Sequence, residues 1–136
     1  MTAKSHAAKI WALNYQLVMA VVTGVTAALG TLGLEPKELF LLSEIDEHPH
    51  PAALADALSM PKPTVTVYLK RLEAAGLVRR EIDTGDLRRH RLTVTAAGRK
   101  VTGRGLAMLA DAFAERLARL SAADQAELMR LLQALS

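Results

Sequence analysis

The apolar residues of this chain leave helical spacing for a spacing of two at Gly76 and return to it after Thr95, and that change limits the possible folds more than any other feature. Between Thr64 and Ala75, Val65, Tyr68, Leu69 and Leu72 recur at helical spacing and leave Thr64, Thr66, Val67, Lys70 and Arg71 facing outward. From Leu77 to Ile82 the spacing is two, with Val78, Arg80 and Ile82 alternating with Arg79 and Glu81. The same holds from Arg88 to Thr95, where His90, Leu92 and Val94 alternate with Arg89, Arg91 and Thr93. Asp83, Thr84, Gly85 and Asp86 are turn formers, so the two runs read as a β-hairpin. Gly76 suits the left-handed residue that ends a helix.

Everything else reads as helix. Residues 7–29 carry Ile10, Leu13, Leu17, Val21 and Val25 on a broad apolar face, and Gly30 with Gly33 ends it. Pro36 opens a second helix in which Leu39, Phe40, Leu42 and Ile45 point inward until His48, Pro49 and Pro51 stop it. A short helix from Pro51 to Leu58 follows, then a turn at Ser59, Met60 and Pro61. Beyond the hairpin, Thr95 caps a helix running through Leu106, Leu109, Phe113, Leu117 and Leu120, with a bend expected at Gly103 and Gly105. Ser121 opens a last helix with Leu128, Leu131, Leu132 and Leu135.

Helix, helix, tight turn, helix, hairpin, helix is the layout of a winged helix-turn-helix. The expected class is therefore mainly α with a small β-hairpin. Residues 36–100 would form the winged-helix region of a single 136-residue domain, flanked by terminal helices at 7–29 and 104–135. Those terminal helices hold more apolar surface than one small winged domain can bury, which predicts a homodimer.

Charge is distributed unevenly. From Lys62 to Arg104 there are eleven basic and four acidic residues, a balance of +7, whereas the remainder has six basic and ten acidic, or −4, within a net +3. A basic segment on an otherwise acidic chain is the electrostatic footprint of a polyanion binder. There is no cysteine, which excludes disulfides, thiolate metal sites and thiol chemistry.

Several other readings are weaker. Ile10 to Leu34 has no charge, but Asn14, Gln16, Thr23, Gly24, Thr26 and Gly30 dilute it, so a buried helix is expected rather than a membrane span or signal peptide, in a cytoplasmic protein. His48 and His50 beside Asp46 and Glu47 could hold a metal, yet without cysteines and between prolines they read as solvated loop histidines, so no metal and no cofactor is expected. Gly98 to Gly105 lacks the ending of a phosphate loop, and no triad or carboxylate pair suggests an enzyme.

The run from Pro63 to Arg80, with Leu72-Glu73-Ala74-Ala75-Gly76-Leu77-Val78 at its end, is followed by Asp86-Leu87-Arg88-Arg89 and by Val94-Thr95-Ala96-Ala97-Gly98-Arg99. These three spaced blocks closely resemble the MarR family of winged-helix transcription regulators, and the resemblance extends to the flanking helices. It implies a sequence-specific regulator, a repressor, acting as a homodimer on a pseudo-palindromic double-stranded DNA site and relieved by a small aromatic or amphipathic ligand. Thr64, Thr66 and Val67 would face base edges and backbone, and Lys62, Lys70 and Arg71 would meet phosphates. Arg88, oriented by Asp86 and next to Arg89, would be the wing arginine. Val67 stands where many relatives have a polar or basic residue, and Arg91 where an apolar one is usual. Val67 can read a thymine methyl but makes no bidentate guanine contact. Trp11, Tyr15 and Phe40 are either core residues or the lining of a small-ligand pocket where the terminal helices meet the winged domain. The alternative function is a winged-helix protein-interaction module or a ligand sensor without DNA binding.

Overall fold

The computed structural model describes residues 2–136. In order, the elements are α1 (Ala3–Gly30), α2 (Pro36–Glu44), α3 (Pro51–Leu58), α4 (Lys62–Ala74), β1 (Val78–Ile82), β2 (His90–Val94), α5 (Ala96–Leu117) and α6 (Ala122–Leu135). The fold is mainly helical with one antiparallel hairpin, as the change of period requires. The chain divides into two compact units: Thr26–Leu106, and the stretch ending at Val25 together with Ala107–Ser136.

The Thr26–Leu106 unit holds a complete core. Leu29, Leu39, Leu41, Ile45, Leu54 and Leu69 are fully buried, joined by Val65, Leu72, Val78, Leu92 and Val94. Helical spacing picked out Leu39, Leu42 and Ile45 on α2 but not Leu41, which is equally buried; Phe40 is only half-buried. The hairpin register pairs Val78 with Val94 and Arg80 with Leu92, which puts the two valines on the core side.

Gly76 and Gly105 have different structural roles. Gly76 has φ +75 and ends α4 with its N–H donated to the Glu73 carbonyl, while Leu77 N–H donates to the Leu72 carbonyl. Gly105, expected to mark a bend, instead permits close packing: a Cβ there would lie 2.7 Å from Leu39 Cδ1 and 3.3 Å from Leu29 Cδ2.

The other unit is less enclosed. Among the described residues, α6 buries none, although Ser121 caps it by accepting the Asp124 N–H at 3.1 Å. α5 ends at Leu117, short of the Leu120 expected from spacing, because the Gln125 amide donates to the carbonyls of Leu117 (2.8 Å) and Leu120 (3.2 Å) and closes the corner. α1 starts at Ala3, earlier than expected, and is long and apolar enough by length and composition to cross a bilayer. Contrary to the expectation of a buried helix, Ile10, Trp11, Leu13, Tyr15 and Val18 are all exposed in the single chain. Trp11 and Tyr15 are thus not core residues of the monomer.

Candidate nucleic-acid interface

α2, α3 and α4 form the helix-turn-helix, and the turn between the last two is made by Ser59 in the left-handed region (φ 52), whose N–H donates to the Asp56 carbonyl. Pro61 then sets the start of α4, and no side chain caps that end. Backbone N–H groups at an uncapped helix start favour an anion. Val65, Leu69 and Leu72 are buried, so the face carrying Lys62, Thr66, Val67 and Lys70 is turned to solvent, with Thr64 half-buried. Val67 is 58% exposed, an aliphatic side chain left in water on this face. The Thr66 hydroxyl donates to the Lys62 carbonyl at 3.0 Å, which leaves its oxygen lone pairs and methyl outward.

The wing tip is organised by two carboxylates. Asp86 Oδ1 accepts from Arg88 N at 3.0 Å and from Arg88 Nε at 3.3 Å, so Asp86 holds the arginine at the backbone and at the guanidinium. Arg88 keeps 91% of its side chain exposed despite that contact. At the base of the tip, Asp83 accepts the Gly85 N–H at 2.8 Å, and Asp83 N–H donates to the Arg89 carbonyl. Arg89 and Arg91 are exposed.

The sequence count of +7 overstates the charge free to meet DNA. Arg99 forms a bidentate pair with Asp46, outside the counted segment, at 2.8 and 3.2 Å, whereas Arg80 donates at 3.1 Å to Glu73, an acid the count already includes. The Arg99 contact holds the Asp46 carboxyl below its ordinary range. Arg71, expected at a phosphate, lies 3.4 Å from Glu35 and 3.7 Å from Glu38, with its guanidinium over the Tyr68 ring at 5.7 Å. Glu35 and Glu38 belong to the capping box of α2, so the start of that helix ties down an arginine of α4. Among the described residues, Lys62 and Lys70 have no ion-pair partner.

The block Thr95-Ala96-Ala97-Gly98-Arg99 has a structural explanation. The Thr95 hydroxyl donates to the Gly76 carbonyl at 2.7 Å and accepts the Gly98 N–H at 3.0 Å, joining the end of α4 to the start of α5. A Cβ on Gly98 would collide with the Leu77 carbonyl oxygen and lie 2.8 Å from Val94 Cγ1. These residues set where the wing leaves the helix-turn-helix.

The remaining candidates divide between the units. Trp11 and Tyr15 have ring centroids 6.2 Å apart on α1. Phe40 lines a groove with Lys37, Leu58, Met60, Pro61 and Thr64. His48 and His50, expected to be solvated, serve different partners: His48 lies 3.8 Å from Glu44, and His50 is largely covered, 3.3 Å from Asp83. Spacing gave no sign of the His50 contact, which joins residues far apart in the chain.

A helix-turn-helix with an exposed outward face on α4 and an arginine-tipped hairpin defines the class of winged-helix DNA-binding regulators. Residues 32–89 match the MarR family. The HTH-type transcriptional repressor Rv2887 of Mycobacterium tuberculosis is 34% identical over 125 residues, covering 90% of each chain. Solved structures of the M. tuberculosis MarR family protein Rv2887 are also similar. Its complex with salicylic acid is 34% identical with a TM-score of 0.76, covering 91% of this chain and 93% of that one. Its complex with DNA is 32% identical with a TM-score of 0.76, covering 91% and 94%. The transcriptional regulator BldR of Sulfolobus solfataricus, 23% identical with a TM-score of 0.85 over 99% and 97% of the two chains, has the same fold. The chain belongs to the MarR family of winged-helix transcription regulators, which is not an enzyme family.

Proposed function

We propose that this protein is a cytoplasmic, homodimeric repressor that reads a pseudo-palindromic duplex with α4 in the major groove and the wing along the neighbouring backbone. The observation that carries this reading is the outward face of α4, where uncapped backbone N–H groups, Lys62, Lys70, Thr66 and an exposed Val67 occur together above a sealed core. Thr64, Thr66 and Val67 face the bases, Lys62 and Lys70 meet phosphates, and Arg88, held by Asp86 and flanked by Arg89, follows the backbone at the wing. Arg71 joins them only by leaving Glu35 and Glu38.

The exposed apolar residues of α1 and α6, including Trp11, Leu131, Leu132 and Leu135, form the dimer surface. A small aromatic anion, the class to which salicylic acid in the Rv2887 complex belongs, relieves binding by altering the spacing of the two heads. Tyr15 and Phe40, with Trp11, are the aromatic candidates for its site. The test is binding of the purified protein to the DNA flanking its own gene over a range of salt. The logarithm of affinity should fall linearly with that of salt, with a slope of about 0.9 per neutralised phosphate. A flat profile contradicts the electrostatic part of the reading.

A further inference from the structure

His50, in the loop before α3, is in contact with both ends of the wing tip. Its Nδ1 lies 3.0 Å from the His90 carbonyl oxygen, and its Nε2 lies 3.3 Å from Asp83 Oδ2. The two side chains are 18% and 17% exposed. Next to this contact, Leu92 N–H donates to the Pro49 carbonyl at 2.7 Å. A carbonyl only accepts, so Nδ1 donates to His90, while Nε2 stands at ion-pair distance from the Asp83 carboxylate.

The carboxylate is held in its charged form. The Gly85 N–H is the main cause, and the positive charges of His50, Arg89 and Arg91 add to it, keeping the Asp83 carboxyl below its ordinary range. Asp83 follows β1 and His90 begins β2, so His50 grips the hairpin on either side of the tip that carries Asp86 and Arg88.

We propose that His50 is a positioning residue for the wing: it clasps Asp83 and His90 together and thereby sets the direction in which the Asp86–Arg88 pair meets DNA. This rests on the DNA-binding reading given above. Sequence spacing gives no hint of this role, because the loop and the hairpin meet only in the fold.

Two measurements on the full chain test it. In the DNA-free protein, backbone 15N relaxation should show residues 84–89 becoming more mobile in His50→Ala and intermediately so in His50→Gln, whose amide keeps N–H donors but no positive charge to pair with Asp83, with α2 to α4 unchanged. On a duplex that the wild type binds, His50→Ala should weaken affinity by roughly fivefold, and by little when Arg88→Ala is already present. An unchanged wing in His50→Ala, or full additivity with Arg88→Ala, overturns the proposal. Should the wild type bind no duplex, the DNA-binding reading fails, and the relaxation series alone decides whether the clasp exists.

Discussion

The two units of this chain treat apolar side chains in opposite ways. In Thr26–Leu106, Leu29, Leu39, Leu41, Ile45, Leu54 and Leu69 are sealed from solvent, and the exposed faces are polar or cationic apart from single residues such as Val67 and Leu87. In the unit of α1 and α6, Trp11 is 64% exposed, Met129 62% and Leu135 83%. One unit is complete as a monomer and offers charge. The other leaves apolar area uncovered in the single chain, which suits it to the dimer surface proposed above. On the proposed function, recognition and assembly are separated within one MarR-family chain, and substitutions should affect one without the other.

The largest expected effect is on the sealed unit. Leu69→Ala removes a fully buried side chain from α4 and should lower stability by about 2–5 kcal/mol in denaturant unfolding. The same change at Leu135 should cost less than about 0.5 kcal/mol to the isolated chain, as expected for an exposed site. The comparison breaks if the two variants unfold alike.

Next in size is the effect on assembly. Trp11→Glu combined with Leu132→Glu places charges on the apolar surface and should give monomers in sedimentation velocity at micromolar concentration. The helical content of circular dichroism should remain. A dimer that survives both charges would move the interface away from α1 and α6.

Smaller effects are expected in DNA affinity. Arg88→Ala should weaken binding several-fold and lower the salt slope by about 0.9, because one phosphate contact is lost. Arg130→Ala, whose side chain pairs with Glu127 on α6 at 2.6 Å, should leave both unchanged. Fluorescence anisotropy over a salt series measures both. The smallest effect is at Glu35→Gln, which loosens the hold on Arg71 and should strengthen DNA binding about twofold, the size expected for a half-exposed ion pair.

Local chemistry made much of this legible in the sequence. The α3 boundaries, the left-handed Gly76, the Ser121 cap, the Thr95 cap and the hairpin all follow from interactions within a few residues. The outward face of α4 was legible from period alone, whereas the Asp86–Arg88 pair, two residues apart, was implied by the resemblance. Contacts between distant segments were not legible. Arg71 is drawn to Glu35 and Glu38, Arg99 to Asp46, and His50 to Asp83, so a regional charge count could not separate cations available to DNA from those that stitch the fold. Gly105 was read as a bend because its packing against Leu39 depends on how α5 lies on α2. Trp11 and Tyr15 were left between core and pocket lining because apolar character predicts burial without saying what covers it, and in the single chain both are exposed.

Selection of binding sites from random duplex DNA by the wild-type dimer tests the joint role of the two units most directly. Two α4 helices carried by one dimer predict enrichment of an inverted repeat with half-site centres about 10 base pairs apart, and with thymine preferred at the position facing Val67. Enrichment of a single unpaired half-site, or of no sequence at all, would contradict a dimeric repressor that reads DNA through α4.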